Sequence, residues 1–509
     1  MRLLMAITGS IATTLCALGA AAQDAQGTLS LSLADAIAMG LENNVELEIL
    51  RHDPLIADET YQISWGAYDP VLGGEAGYFS EEPLTVSPIF QASKNERTDG
   101  NAELSGLMPY LGGSYAITYN GQRSDSDSII QGFNPEYTAD ITFAGSLPLL
   151  RGLVWNQAWT TIQTTDVLRG ESLENFRAQV MRIVQFIETL YWQLVRDRQN
   201  LAVAHKSLEA ATALLDQVQT RYDVGVVSRV DVVEAEAGVA QREFQLIEAK
   251  NFYQNSQDNL INATLGVHLT ADSSLEIDPT EPPEAYKIYE IDVPKAVEIA
   301  LSKRPELRSA HLAVDRGELE LRFRRNARLP QLDIRGSYGL NGLSGKGSPT
   351  GPDFSDAAGS LFSGQDGNVW DARAILSIPI GNIGGRHGVS RAKLELRRAE
   401  TQVDRQELDI ILEVRRSARN LLSGLEGIEA AERERLAAEE QLRAEKVRLE
   451  HGESTPFDVL QREQALVESE FKKIDALNVY RTSETALLQA QGIILEARNI
   501  VFAEAAPLR

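Results

Sequence analysis

Residues 221–266 are written twice in this chain, and that repetition constrains the fold more than any bulk property does. Displaced without a gap, Arg221 falls on Arg448, Gly225 on Gly452, Ser228 on Thr455 and Asp231 on Asp458. Glu236, Phe244, Asn251, Tyr253 and Leu260 then fall on Glu463, Phe471, Asn478, Tyr480 and Leu487. So many identities in one register mark an internal duplication, which sets the architecture before any single motif is read. Each copy reads as helix, sharp turn, helix. Gly225 and Gly452 are placed to take the left-handed conformation that ends a helix. Ser228 and Thr455 then cap the next helix, and Asp231 and Asp458, three residues on, complete a capping box. Pro456 suits a first helical position, whose N–H needs no partner.

The repeat extends further. A second offset aligns Ala36, Leu41, Glu46 and Leu47 with Ala296, Leu301, Glu306 and Leu307. The expected organisation is a first repeat over 23–266, a linker over 267–292 carrying Pro279, Pro282 and Pro283, a second repeat over 293–494, and a tail over 495–509 without strong pattern. Residues 1–22 read as a secretory signal: Arg2, an apolar stretch from Leu3 to Leu18, then small residues before Gln23. The only cysteine, Cys16, falls inside it, so the mature chain is expected to have neither a disulfide nor a thiol nucleophile.

In both halves the period changes from helix to strand. Leu332, Ile334, Gly336, Tyr338 and Leu340 alternate with Asp333, Arg335, Ser337, Gly339 and Asn341, the pattern of a strand with one apolar and one wet face. Residues 138–147 and 371–378 alternate in the same way, and about ten such residues are what a tilted strand needs to cross a bilayer. The expected count is four strands, two per half. The first half is longer here, and alternation of Tyr115, Ile117 and Tyr119 after Gly112-Gly113 leaves a further hairpin over 100–122 open. Segments 120–136 and 341–368, rich in Gly, Ser, Asp and Pro, read as surface loops.

Long helices follow each strand region. From Phe176, Val180, Ile183, Ile187, Leu190, Leu194, Leu201, Ala204, Leu208, Ala211, Leu215, Val218 and Tyr222 keep one three-four spacing, broken only at Asp197. The second half answers with Val403, Ile410, Val414, Leu421, Ile428, Ala431, Ala438, Leu442 and Leu449. Heptads sustained this long mean coiled coil, and a helix from Trp155 to Tyr222 would run roughly 100 Å. Four strands cannot close a barrel, and an open sheet edge cannot face lipid, so several copies must share one barrel.

With 73 acidic against 49 basic residues and a net charge of −24, the chain lacks the basic patch that nucleic-acid binding calls for. His52, His205, His268, His311, His387 and His451 show no metal-ligand spacing, and no metal or cofactor is expected. The segment GNIGGRHG at 381–388 lacks the Lys-Ser/Thr ending of a phosphate loop and reads as a turn. No nucleophile, base and orienting group can be assembled from the motifs, so no catalytic residue is assigned and the chain does not read as an enzyme.

In this order, LADAIAMGLENNVEL, SLPLLRG, RYDVGVVSRVDVVEAE, KRPEL, ARLPQLDIRGSYG and HGESTPFDVLQRE resemble the TolC-like outer-membrane efflux proteins. The resemblance implies a mixed α/β membrane protein. Three copies, four strands each, would form a 12-stranded outer-membrane β-barrel continued by an α-helical coiled-coil tunnel in the periplasm. It implies a homotrimer in outer-membrane lipid, a periplasmic adaptor (membrane fusion protein) and an inner-membrane transporter that supplies the energy. Asp458 matches a family position at the inner mouth of the tunnel. Gln461 stands where a second acid often lies, and Asp231 is the corresponding acid in the first repeat. The tips Gly225, Val226, Val227 and Ser228, with Gly452, Glu453, Ser454 and Thr455, are where the resemblance puts adaptor docking. The same scaffold serves efflux and type I protein secretion. A periplasmic coiled-coil scaffold without a pore is the rival from another class, and the alternating strands speak against it.

Overall fold

The computed structural model describes residues 28–84, 92, 94–127, 132–266, 275–349, 351–363 and 367–501. The expected signal segment, residues 267–274 of the expected linker and 502–509 of the tail lie outside them. The chain forms two compact units, each assembled from separated segments. One comprises Met1–Asp53, Leu173–Ser309 and Val403–Arg509, and the other Pro54–Ser172 and Ala310–Gln402. This spatial division cuts across the sequence repeats, because each half of the chain contributes to both units.

The second unit is built on one antiparallel sheet of six strands in chain order: β2 (Val71–Glu81), β3 (Asn95–Leu107), β4 (Ser114–Ser126), β5 (Glu136–Pro148), β7 (Gln331–Gly345) and β8 (Asn368–Ser377). The four-strand expectation is therefore corrected. The first repeat contributes four strands and the second two, and the surplus hairpin β3–β4 lies in full register between β2 and β5. Its composition explains the miss. β3 reads NERTDGNAELSGL, with too few apolar residues for alternation to stand out.

The register sorts the strands into two faces. On one, Leu72, Leu104, Ile117, Phe143, Tyr338 and Trp370 stand directly opposed across all six strands. On the other lie Glu75, Asn101, Asn120, Asp140 and Asn341, with Asn120 donating to Asp140 at 2.8 Å. The loop expectations at 120–136 and 341–368 are also corrected. Residues 120–126 complete β4, 341–345 complete β7, and a short helix, α7 (Phe354–Ser360), follows. This helix packs on the apolar face over Ala139, beside Tyr119, Ile141 and Leu340. Close approach is possible because Ala76, Gly100, Gly121, Ala139 and Gly342 form one opposed row of small residues. A Cβ at Gly121 would lie 2.5 Å from the Phe354 ring. Polar composition hid these strands because half of each one faces the wet side.

At the other rim, β5 leaves the sheet through Leu150-Arg151-Gly152. Asn326 holds that turn, accepting from the Gly152 N–H at 2.7 Å and donating to the Leu150 carbonyl at 3.3 Å, while Arg151 donates to Gln331. The GNIGGRHG segment is a turn only over Gly381-Asn382, where Gly381 has φ 79° and Asn382 donates to the Arg328 carbonyl at 2.8 Å; Ile383 to Gly388 already belong to the long helix that follows, which corrects the expectation of a turn over 381–388.

The first unit opens with a strand, β1 (Thr28–Leu31), paired in parallel with β6 (Glu276–Pro279), which lies within the segment expected as linker. Around this pair pack α1 (Leu33–Asn43) and two long helices, α3 (Gln157–Asp223) and α4 (Arg229–Leu265). Tyr191, fully buried, donates to the Leu31 carbonyl at 3.1 Å and accepts from the Glu281 N–H at 3.3 Å; burial pushes its phenol up to about 12. The core also takes in the tail. Ile494 and Leu495 of α10 (Ile494–Ala497) are buried, and Arg498 forms a bidentate pair with fully buried Glu188, both bonds 2.7 Å. Removing one partner of such a pair costs roughly 3–5 kcal/mol, because the other charge is left stranded.

The second pair of long helices is α8 (Ile383–Glu450) and α9 (Pro456–Ala490). All nine seam residues read from the sequence of α8, from Val403 to Leu449, are buried. The interruption at Asp197 in α3 is a satisfied one. Its carboxylate is buried, accepting from the Ser256 hydroxyl and from Arg196 at 2.8 Å. No helix among the described residues is long and apolar enough to cross a membrane.

Candidate functional site: the paired hairpin tips

The two tips have one backbone design. Gly225 and Gly452 both sit at φ 77°, in the left-handed region where a Cβ is costly. In the first tip the Gly225 N–H bonds Tyr222 O at 2.8 Å and the Val226 N–H bonds Arg221 O at 2.9 Å; in the second Gly452 bonds Leu449 at 3.1 Å and Glu453 bonds Arg448 at 2.9 Å. These nested bonds are the Schellman ending, which satisfies the last carbonyls of a helix. Two residues later each chain is recapped. The Ser228 N–H and hydroxyl both donate to Asp231 at 2.7 Å, and the Asp231 N–H returns to the Ser228 hydroxyl at 3.4 Å. The Thr455 hydroxyl and N–H donate to Asp458 at 2.7 and 3.2 Å, and the Asp458 N–H returns at 3.3 Å. The Thr455 bonds, hydroxyl first and N–H second, hold the Asp458 carboxyl below the usual carboxylate range.

The two tips are packed together. Leu214, Val218, Val232 and Ala235 of the first hairpin share one buried cluster with Leu442, Leu449 and Val459 of the second, and Val227 packs against it. Arg221 crosses between them to the Leu449 carbonyl at 3.3 Å. What projects outward differs. The first tip presents Val224 and Val226, each 72% exposed, and Val230; the second presents His451, Glu453 and Phe457. Val227, half-buried, is therefore a packing residue as well as a tip residue, and Val226 is the outward one. Ser228, Gly452 and Thr455 are exposed, and Ser454 is half-buried with its hydroxyl donating to Glu445 at 2.5 Å. Asp231 and Asp458 are half-buried, each engaged by its own cap, and Gln461 is exposed.

Behind the tips lies a set of buried charges that no motif in the sequence singles out. Arg242 is 3% exposed and reaches Gln464 and, at 3.0 Å, Gln245, and its burial depresses the guanidinium pKa. Glu463 is buried and paired with Lys446 at 2.9 Å; Glu445 is buried and paired with Arg448 at 3.2 Å. A signal was present. Val232, Ala235, Val239, Arg242, Leu246, Ala249 and Tyr253 keep the three-four spacing of one seam, so Arg242 occupies a core position of the coiled coil. Among the described residues no group of three or more His, Cys, Asp or Glu is arranged to hold a metal.

The sequence profile of a family described as outer membrane efflux protein matches residues 94–266 and 296–493. The outer membrane protein TolC of Escherichia coli (strain K12) is 24% identical over 404 residues, covering 78% of this chain and 77% of that protein. Its counterpart in Vibrio cholerae serotype O1 is 22% identical over 396 residues, covering 77% and 84%. Among solved structures, CusC aligns with a TM-score of 0.67 at 14% identity, covering 90% of this chain and 92% of that one. The open state of the MtrE outer membrane channel from Neisseria gonorrhoeae gives 0.63 at 17% identity, covering 91% and 89%. At these identities the structural likeness speaks for the fold alone.

Proposed function

The chain belongs to the outer membrane efflux protein family, and from that premise we propose that it is the outer-membrane duct of a tripartite efflux system, assembled from three identical copies. The observation that carries this reading is the sheet. One face is predominantly apolar and the other polar, and among the described residues β2 and β8 each have one edge without a strand partner. In lipid an unpaired edge is not tolerated, so the strands must close on those of neighbouring copies, with the part of the apolar side that α7 leaves uncovered to the bilayer and the polar side to a water-filled lumen. The long helices support the same assembly. Leu408, Leu422 and Leu436 on α8 recur at fourteen-residue intervals and are 60%, 43% and 51% exposed, while Val233, Phe244 and Ile247 form an exposed stripe on α4. Such stripes are the seams that a coiled coil buries against further helices.

In this reading the duct is passive. Substrate and energy come from an inner-membrane transporter, handed on by a periplasmic adaptor that meets the hairpin tips. Val226 and its neighbours supply an apolar contact there, Glu453 and Ser454 a polar one. Asp458, repeated by symmetry, would ring the inner mouth, where converging carboxylates filter ions and hold a gate. Purified protein should migrate as a heat-modifiable trimer and conduct ions in planar bilayers, and deleting the gene should sensitise the cell to exported compounds. A monomer in detergent, or assemblies that conduct nothing, would overturn the reading.

A further inference from the structure

We infer that the membrane section of this duct is an 18-stranded barrel, half again as wide as the 12-stranded wall that the resemblance implies; the inference rests on the three-copy reading above. The chain supplies its own reference. β2 and β7 begin after Pro70 and Pro330, and β5 and β8 lead to Pro148 and Pro379, so these four strands are the duplicated set. β3 and β4 have no counterpart among the described residues of the second half. They are nonetheless wall and not ornament, since β3 is hydrogen-bonded to β2 from Val71–Ser105 to Glu81–Asn95, and β4 to β5 from Ser114–Ser146 to Ser124–Glu136. Toward the rim at Leu107 and Ser114 their face chemistry continues that of their neighbours, with Leu104 and Ile117 in the apolar row and Asn101 and Asn120 in the polar one; toward the rim at Asn95 and Ser126 the apolar face gives way to Glu96, Arg123 and Asp125.

The stagger of the sheet is that of a barrel. A path through directly opposed residues runs Val71, Ser105, Ala116, Ala144, Ser337, Asp371. It enters at the first residue of β2 and leaves β8 six residues before its end at Ser377. Spread over five strand spacings of about 4.8 Å, at about 3.4 Å per residue, this is a tilt of roughly 40°, inside the range of transmembrane barrels. At that tilt three copies of six strands close with a backbone diameter of roughly 36 Å, against roughly 24 Å for twelve strands. Barrels of 16 to 18 strands leave an open aqueous channel. The wall in the membrane is then the wide part of the conduit, with a cross-section about twice that of the 12-stranded form, and it admits bulkier cargo than that form.

The topology gives a clean test. β3 begins and β4 ends at the rim where Glu81 and Glu136 lie, so excising residues 95–126 removes two strands and leaves the flanking ones joined at that rim. The full-length protein in lipid nanodiscs would be weighed by native mass spectrometry for copy number and imaged end-on by electron microscopy. Three copies with a 1.5-fold wider ring than the excised variant are expected. Three copies with the hairpin folded outside a narrow ring would overturn the inference and leave the duct intact, as would a ring of two copies and twelve strands for the 18-strand count. No ring at all would sink the duct reading itself. Should the variant fail to fold, the diameter of the unmodified ring against its copy number decides the matter alone.

Discussion

The first tip, Val224 to Asp231, and the second, His451 to Asp458, follow the same backbone path and have diverged in nearly everything that points away from it. Both keep the glycine at φ 77°, the Schellman bonds, the hydroxyl cap and the aspartate that answers it. The residues around this frame differ: Val224, Val226 and Val230 on one side, His451, Glu453 and Phe457 on the other. Even the duplicated arginine is used differently. Arg448 closes its own turn, donating to the Glu453 carbonyl at 3.1 Å, whereas Arg221 reaches across to Leu449. The lesson is a division of labour within each turn. What the backbone requires is identical, and what a partner could read is not.

The largest expected effect is on docking, and it should be unequal. Val226→Glu would put a charge into an apolar contact, and export should fall to the level of a strain lacking the protein while trimer migration is unchanged. Glu453→Val should lose far less, because rim charges contribute little to affinity. Equal tolerance at both tips, read as compound sensitivity, would erase the proposed difference. Conductance comes next: Asp458→Ala should raise single-channel conductance several-fold or lift a cation block, and Asp231→Ala should do neither. If neither substitution changes the current, both aspartates are caps and nothing more. The backbone effects, in contrast, should match. Gly225→Ala and Gly452→Ala should each cost roughly 1–2 kcal/mol, visible as faster amide exchange at Val226 and Glu453. Ser228→Ala and Thr455→Ala should each cost about 1 kcal/mol, localised to the first turn of the following helix; a twofold disparity would mean that the two frames are not equivalent. The smallest effect is in pH. Asp458 has a folded pKa below its unfolded one, so its cap is fully present above the usual Asp value of about 3.9 and is lost only as pH falls through the lowered value. Carboxyl chemical shifts should show Asp458 still ionised where an unstructured aspartate is half protonated.

Features written in local chemistry were legible in the sequence. A glycine that must go left-handed, a hydroxyl followed by an acid, and apolar residues at three-four spacing each need only a few neighbours, and the duplication states them twice. The sheet was harder. β7 announces itself because its inward and outward residues differ sharply, but β3 carries Glu96, Thr98 and Gly100 on the face it shares with Leu104, so its alternation nearly vanishes. The buried charges were missed for a related reason. Arg242 and Glu463 look like ordinary surface residues until the seam register is followed through them, and Glu445 only when the Ser454 turn folds back to it. The tail seemed patternless because Arg498 matters through one distant partner, Glu188, which no spacing along the chain reveals.

One pairing in the first unit bears on how the molecule comes into being. The opening strand, Thr28–Leu31, has as its hydrogen-bonded neighbour a segment 248 residues downstream, beginning at Glu276. A polypeptide delivered amino end first cannot complete that ladder until more than half of its length has emerged, and contacts so distant in sequence form slowly. This strand thus settles only after the residues between it and Pro279 have emerged. In the interval its backbone N–H and C=O groups lack their ladder partners and are open to wrong pairings.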